Sequence, residues 1–367
     1  MTASPTLSKI TPAAFFEPGS PVVAVDSSGS AYLAWTEVAP DASAQTYVYK
    51  WDGGPAWSQI GGALSHPKLT PAGLAMSVNN GHVFVAHGDK DASAVKFEAV
   101  VDEWNGSAWV RSTSALGFSG GVDLISYGNR DLLFAWNQGD TAPQLNVWRR
   151  TSGFWSIEGS AGRARTPLAN PSLAVDTSPT PRAFVAWDQA VLDTAGTVIG
   201  YFPYVRSLPT TDLDDSPAGT TSNQGPTTPS LAWWNAAPVV AWTRSPVATP
   251  TVEVDRWSGT AWVPMGAPIA AAPAARQHQL IQASGTQSTL ALASVVDPGF
   301  GHAAVFEWDA TALAWSKVCS NLVDPANPAQ MATGVTGVAV AQDSQGTYVV
   351  GVVQVVSGKL FVERVSH

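Results

Sequence analysis

Five places in this 367-residue sequence set a rigid ring beside hydrogen-bonding groups, each at the end of a short apolar run. They are Trp35 followed by Glu37, His87, Trp136 with Asn137, Trp187 with Asp188, and Trp242 followed by Arg244. An indole face attracts the C–H groups of a sugar ring, while a neighbouring carboxylate, amide or guanidinium takes its hydroxyls. These residues are the candidate ligand-binding set. The same pattern also fits a structural use, in which each ring wedges between adjacent sheets.

Other chemistry has weaker signals. Only His82 and His87 lie close together among the six histidines, and their odd spacing in one strand sends them to opposite faces. Asp212, Asp214 and Asp215 could offer hard oxygens to Ca²⁺, but they lack the ordered ligand spacing of a calcium loop and read as an acidic solvated loop. No cofactor or metal is expected. A nucleophile elbow, a phosphate-cradling glycine loop and a zinc-binding helix motif are all missing from the sequence, so no catalytic residue is nominated.

The elements that must position the candidate residues recur with a fixed period. Trp35, His87, Trp136, Trp187, Trp242, Ser294 and Gly351 close equivalent segments at intervals of 49 to 57 residues. Each period holds up to four strand-like runs, as in Pro21–Asp26, Ala31–Trp35, Tyr47–Trp51 and Trp57–Ile60. Such a period means one sheet per repeat and radial repetition of sheets, a β-propeller. The expected fold is all-β: seven blades of four antiparallel strands in one domain over 1–367. The blades span about 21–64, 73–114, 122–160, 171–208, 229–267, 279–320 and 335–365. The last repeat stops after its third strand, and Leu7–Ile10 aligns with Trp57–Ile60. Residues 5–12 are therefore expected to complete the last blade and latch the ring, leaving no open sheet edge.

Ten of the sixteen tryptophans form pairs around the third turn of a repeat: Trp51/Trp57, Trp104/Trp109, Trp148/Trp155, Trp257/Trp262 and Trp308/Trp315. Turns such as Asn105-Gly106-Ser107 suit a tight hairpin, so these pairs read as structural clasps. The fourth repeat departs from the pattern, with Tyr201–Tyr204 and a Thr/Asp/Gly/Ser-rich stretch in place of a regular fourth strand. Loops after the second strands are long and unlike one another, whereas the remaining turns within repeats are short. Scaffolds carry binding residues on such variable loops, which makes that side of the ring the expected functional face.

Composition narrows the partners. Charged residues make up 13% of the chain and the net charge is −9, without the Lys/Arg cluster that nucleic acid or anionic membranes require. No apolar run is long enough to insert in a membrane as a helix. A single cysteine, Cys319, excludes an internal disulfide. The N-terminus lacks the charged start and apolar stretch of a secretory signal. The chain is expected to be exported if a leader was removed, and otherwise cytoplasmic.

Pro171–Asp176, the Val-Ala-Trp runs ending at Trp187 and Trp242, and Trp104–Trp109 resemble repeats of bacterial seven-bladed propellers, common in exported proteins. In architecture the chain is also similar to the propeller lectins and to sialidases. Val25–Gly29 resembles the sialidase Ser-x-Asp-x-Gly-x-x-Trp turn only loosely, with Asp26 and Gly29 one position too far apart. The lectin resemblance implies non-enzymatic binding of a carbohydrate or glycoconjugate. The second reading is a protein-interaction scaffold, and the third a hydrolase or lyase with its site near the central channel.

Overall fold

The computed structural model describes residues 21–38, 44–54, 56–66, 73–79, 81–90, 97–116, 118–127, 131–138, 144–161, 168–209, 216–218, 227–244, 250–271, 278–282, 289–296, 302–320, 335–343, 346–354 and 359–365. They form an all-β propeller of antiparallel sheets, with no helix among the described residues. The first blade orders Val22–Val25, Ala31–Val38 and Ala44–Trp51, followed by an outer strand in two pieces, Ser58–Gln59 and Leu64–His66. Five further blades repeat this order. Their inner strands are Leu74–Asn79, Phe118–Tyr127, Leu168–Val175, Ser230–Trp234 and His278–Gln282. In the fourth blade the outer strand shrinks to Ser216–Pro217, where the sequence is irregular.

The expectation of seven four-stranded blades is corrected to six. The last sheet, Val335–Gln342, Tyr348–Gln354 and Lys359–Val365, has three strands among the described residues. Its repeat contains only three strand-forming runs, whereas each complete blade draws its fourth strand from its own repeat. The segment expected to complete it, Leu7–Ile10, lies outside the described residues, as do Asp212, Asp214 and Asp215.

Why these runs form strands follows from their burial. Leu33, Val85, Phe134, Val185, Val240, Leu292 and Val350 are buried at matching places on the second strands. They pair with Val23, Met76, Leu124, Leu173, Leu231, Leu280 and Val340 of the inner strands. Strands covered on both faces need apolar residues throughout, so their alternation disappears. Apolar clusters join each sheet to the next. One of them packs Val23, Leu33 and Trp35 against Ala339, Val349 and Val362, joining the first sheet to the last.

The tryptophan pairs sit on the outer hairpins, with ring centroids 5.6 Å apart for Trp104/Trp109 and 5.4 Å for Trp308/Trp315. Their second members also reach the preceding blade. Trp109 Nε1–H donates to the Ile60 carbonyl at 3.2 Å, and Trp315 Nε1–H to that of Met265 at 2.9 Å. The break in the first blade's outer strand makes room for this contact. Gly61 there has φ +63°, and a Cβ on it would lie 2.6 Å from the Trp104 ring. Gly53, at φ +84°, faces open space. Gly61→Ala should cost about 2–3 kcal/mol and Gly53→Ala about 1 kcal/mol, because only the former adds a clash with a rigid ring to left-handed strain. Equal melting temperatures for the two variants would refute the inter-blade clasp.

Candidate functional site

The rings nominated from sequence are buried between sheets. Trp35 is 5% exposed, Trp136 3%, Trp187 0% and Trp242 1%. Each packs back onto the neighbouring sheet: Trp35 onto the last, Trp136 onto the second, Trp187 onto the third and Trp242 onto the fourth. Trp35 is also stacked on Tyr47 and Tyr49, at 5.6 and 5.2 Å. Of the two uses that the pattern fits, burial favours the wedge: the end of a second strand falls where facing sheets leave a gap that a large ring fills.

Their polar neighbours serve the same layer. Trp35 Nε1–H donates to Glu37 Oε1 at 3.1 Å, and Trp242 Nε1–H to Asp255 Oδ2 at 2.7 Å. His87 Nε2 lies 2.8 Å from Asp102 Oδ2, with both residues buried. Asn137 is buried as well. Asp188 accepts from Asn170 Nδ2 at 2.7 Å, from the backbone N–H groups of Thr227 and Thr228 at 2.8 and 3.0 Å, and from the Thr227 hydroxyl. Burial pushes its carboxyl up, while these donors act the other way. Asp188 thus ties the connection between the fourth and fifth blades. Of the nominated residues, Arg244 alone is exposed, with Nη1 2.9 Å from Glu253 Oε1. The structure does not bring the nine into one open site.

What it does bring together lies around the axis. A cavity of about 540 Å³ is lined by the inner strands of the first six sheets, within the size range of small-ligand sites. Four hydrogen bonds stitch five successive inner strands together. Leu173 N–H donates to Asp123 Oδ2 at 2.6 Å, and Leu231 N–H to Ser172 Oγ at 2.9 Å. Leu280 N–H donates to Ser230 Oγ at 2.8 Å, and Val340 N–H to Gln279 Oε1 at 2.8 Å. Register places Ala339, Val22 and Ala75 at the same level of the remaining three sheets. One arc of the ring is therefore polar at this height and the other apolar. Ser230 and Gln279 stand at the starts of their inner strands, and Asp123 and Ser172 in the middle of theirs.

The serine hydroxyls each accept one N–H and keep a proton to donate. Asp123 Oδ1 also accepts from Leu124 N–H at 2.8 Å. Asp123 is enclosed by protein yet partly exposed to the cavity, and burial pushes its carboxyl up to about 6 against the pull of these two donors. His278 lines the same cavity, 7% exposed, with Nδ1 3.3 Å from the Thr243 hydroxyl and no hydrogen-bond partner at Nε2. Burial pushes its pKa down to about 4, a backbone hydrogen bond at Ala241 acting the other way. Asp123 is the one acidic side chain lining the cavity among the described residues, and no Lys or Arg lines it there.

Sequence reasoning missed this set. A signal was present: a polar residue directly precedes leucine in Asp123-Leu124, Ser172-Leu173, Ser230-Leu231 and Gln279-Leu280, in four consecutive repeats. Inside otherwise apolar strands, a recurring polar residue needs a partner, and here the partner belongs to the next repeat.

No protein-family model matches the chain, and no curated protein matches it by sequence. Among solved structures the chain is similar to an ulvan lyase of a new polysaccharide lyase family. That match has TM-score 0.61 and 11% identity, covering 95% of this chain and 94% of that one. It is also similar to an α-L-arabinofuranosidase of Fusarium graminearum in complex with an iminosugar inhibitor, at TM-score 0.50 and 15% identity, over 79% of this chain and 93% of that one. A third is SapL1 lectin in complex with alpha methyl fucoside, at TM-score 0.50 and 15% identity, over 85% and 98%. At these identities the likeness shows the propeller fold alone.

Proposed function

We propose that this chain is a carbohydrate-binding propeller whose ligand enters the axial cavity from the side of the long loops. The observation that carries the reading is the polar arc of Asp123, Ser172, Ser230 and Gln279 in the wall of one small-ligand-sized cavity, whose lining also includes the apolar Ala24, Val25 and Met76. A sugar ring has the matching character, hydroxyls at its edge and C–H groups on its faces. The three solved structures named above act on or bind saccharides, or hold a sugar mimic, which supports the same substrate class. Binding fits better than hydrolysis, because glycoside hydrolases place two carboxyl groups about 5–10 Å apart and Asp123 stands alone in the described lining. A protein-interaction role has no comparable support.

The test of function is a glycan array probed with the intact protein, followed by calorimetry on any hit. At least one glycan class should be retained, and its binding should weaken in Gln279→Leu, which removes an amide from the cavity wall. Retention of no glycan, or hits indifferent to Gln279→Leu and to changes at Asp123, would reject the axial site.

A further inference from the structure

We propose that the axial cavity selects saccharides bearing a protonated amine, with the Asp123 carboxylate as the partner of the ammonium group. The inference rests on the carbohydrate reading above and narrows it to a substrate class. Three of the four stitches use a neutral acceptor, Ser172, Ser230 or Gln279, and a serine performs the task at Asp123's place in the next two sheets. The stitch itself therefore does not require a charge. Asp123 brings one into the cavity with no Lys or Arg in the described lining to balance it.

Each of its oxygens accepts a single backbone N–H, from Leu124 or Leu173, and retains capacity for a further donor. An ammonium group offers three donors and the compensating charge, and charge-assisted hydrogen bonds are the stronger kind. The elevated carboxyl of Asp123 agrees with this, since desolvation raises it and no cation among the described residues opposes the shift.

His278 stands in the same wall with its pKa pushed down by burial, so near neutral pH it brings no positive charge to the cavity. Uronates and other anionic sugars would bring a like charge to Asp123 with no described cation to receive it.

The test is calorimetry on the intact protein with three short oligosaccharides of equal length: glucosamine oligomers, their N-acetylated counterparts, and oligogalacturonate. The free-amine oligomer should bind about ten-fold tighter than the acetylated one, and the uronate should give no heat. Asp123→Ser supplies the acceptor used by the neighbouring sheets without the charge, and Asp123→Asn is the second variant should it fail to fold. Either should reduce the preference to within about three-fold. Attraction of the cation to the protein's overall negative charge is common to wild type and variant, so the comparison isolates the cavity. A preference that survives in a folded Asp123 variant, or tighter binding of the uronate, overturns the inference while leaving carbohydrate binding intact. Failure of all three oligomers, together with a blank glycan array, overturns both readings.

Discussion

Replacing Trp242 with alanine is expected to lower the stability of the folded protein by about 3–5 kcal/mol. The ring is among the largest fully buried side chains, and it packs on Phe184, Ala186 and Trp233 at the junction of the fourth and fifth blades. Removing it leaves a cavity in two sheets that cannot close without breaking the ladders on either side. A second effect adds to the packing loss. Trp242 Nε1–H donates to Asp255 Oδ2, whose carboxyl burial already pushes up, with Glu253 adding to the rise. Trp242→Phe separates the two contributions, since it keeps an aromatic ring and deletes only the donor, and should cost about 1–3 kcal/mol. Urea denaturation with an unchanged slope is the measurement. If Trp242→Ala melts with the wild type, the wedge assignment fails and the indole regains a role at an open face.

The second large effect is a pair of opposed pH dependences within the axial cavity. Asp123 titrates at about 6 when folded, against about 3.9 in an unfolded chain. The folded state holds that proton more tightly, so its contribution is full below about pH 4 and is lost as pH rises through about 6. The loss is about 2 kcal/mol, after allowance for the side chain's contact with the cavity. His278 titrates at about 4 when folded, against about 6.5 unfolded. Its contribution is present above about pH 6.5 and is lost as pH falls toward 4, by about 3 kcal/mol. Wild type minus Asp123→Ser should therefore slope downward with pH across this window, and wild type minus His278→Gln upward. Other carboxylates, such as Asp102 and Asp176, which their ion-pair and hydrogen-bond partners hold low, cancel in these differences. Two flat difference curves would mean that neither group is shielded from water.

The two effects arise from residues of very different legibility. The tryptophan at the end of a second strand is plain in the sequence, because it recurs at one place in the period. Whether its ring meets solvent or a neighbouring sheet is not written there, since both arrangements give the same spacing. Glu37 illustrates the difficulty: beside Trp35 it reads as a group for a ligand hydroxyl, yet folded it accepts that indole's own N–H. Asp188 reads as exposed polar chemistry and instead binds Thr227 and Thr228 across a junction nearly forty residues long. Arg244 is open to solvent because it lies one position beyond the last buried pair of its strand.

Local chemistry explains what the sequence alone determined. The period, the inner and second strands, the tight hairpins with their paired tryptophans, and the irregular fourth repeat all follow from interactions among residues within about twenty positions of one another. Turn preference and continuous apolar runs act at that range, so each repeat states its own sheet. The contacts that build the site join one repeat to the next. Asp123 meets Leu173, Ser172 meets Leu231, and Trp109 reaches Ile60 only after the sheets are set side by side about the axis. Tertiary structure decided that the conspicuous rings became wedges and that an inconspicuous polar residue before each leucine came to line the cavity. The physical reason is that burial and partnership across sheets depend on the angle and distance between blades, which no single repeat encodes.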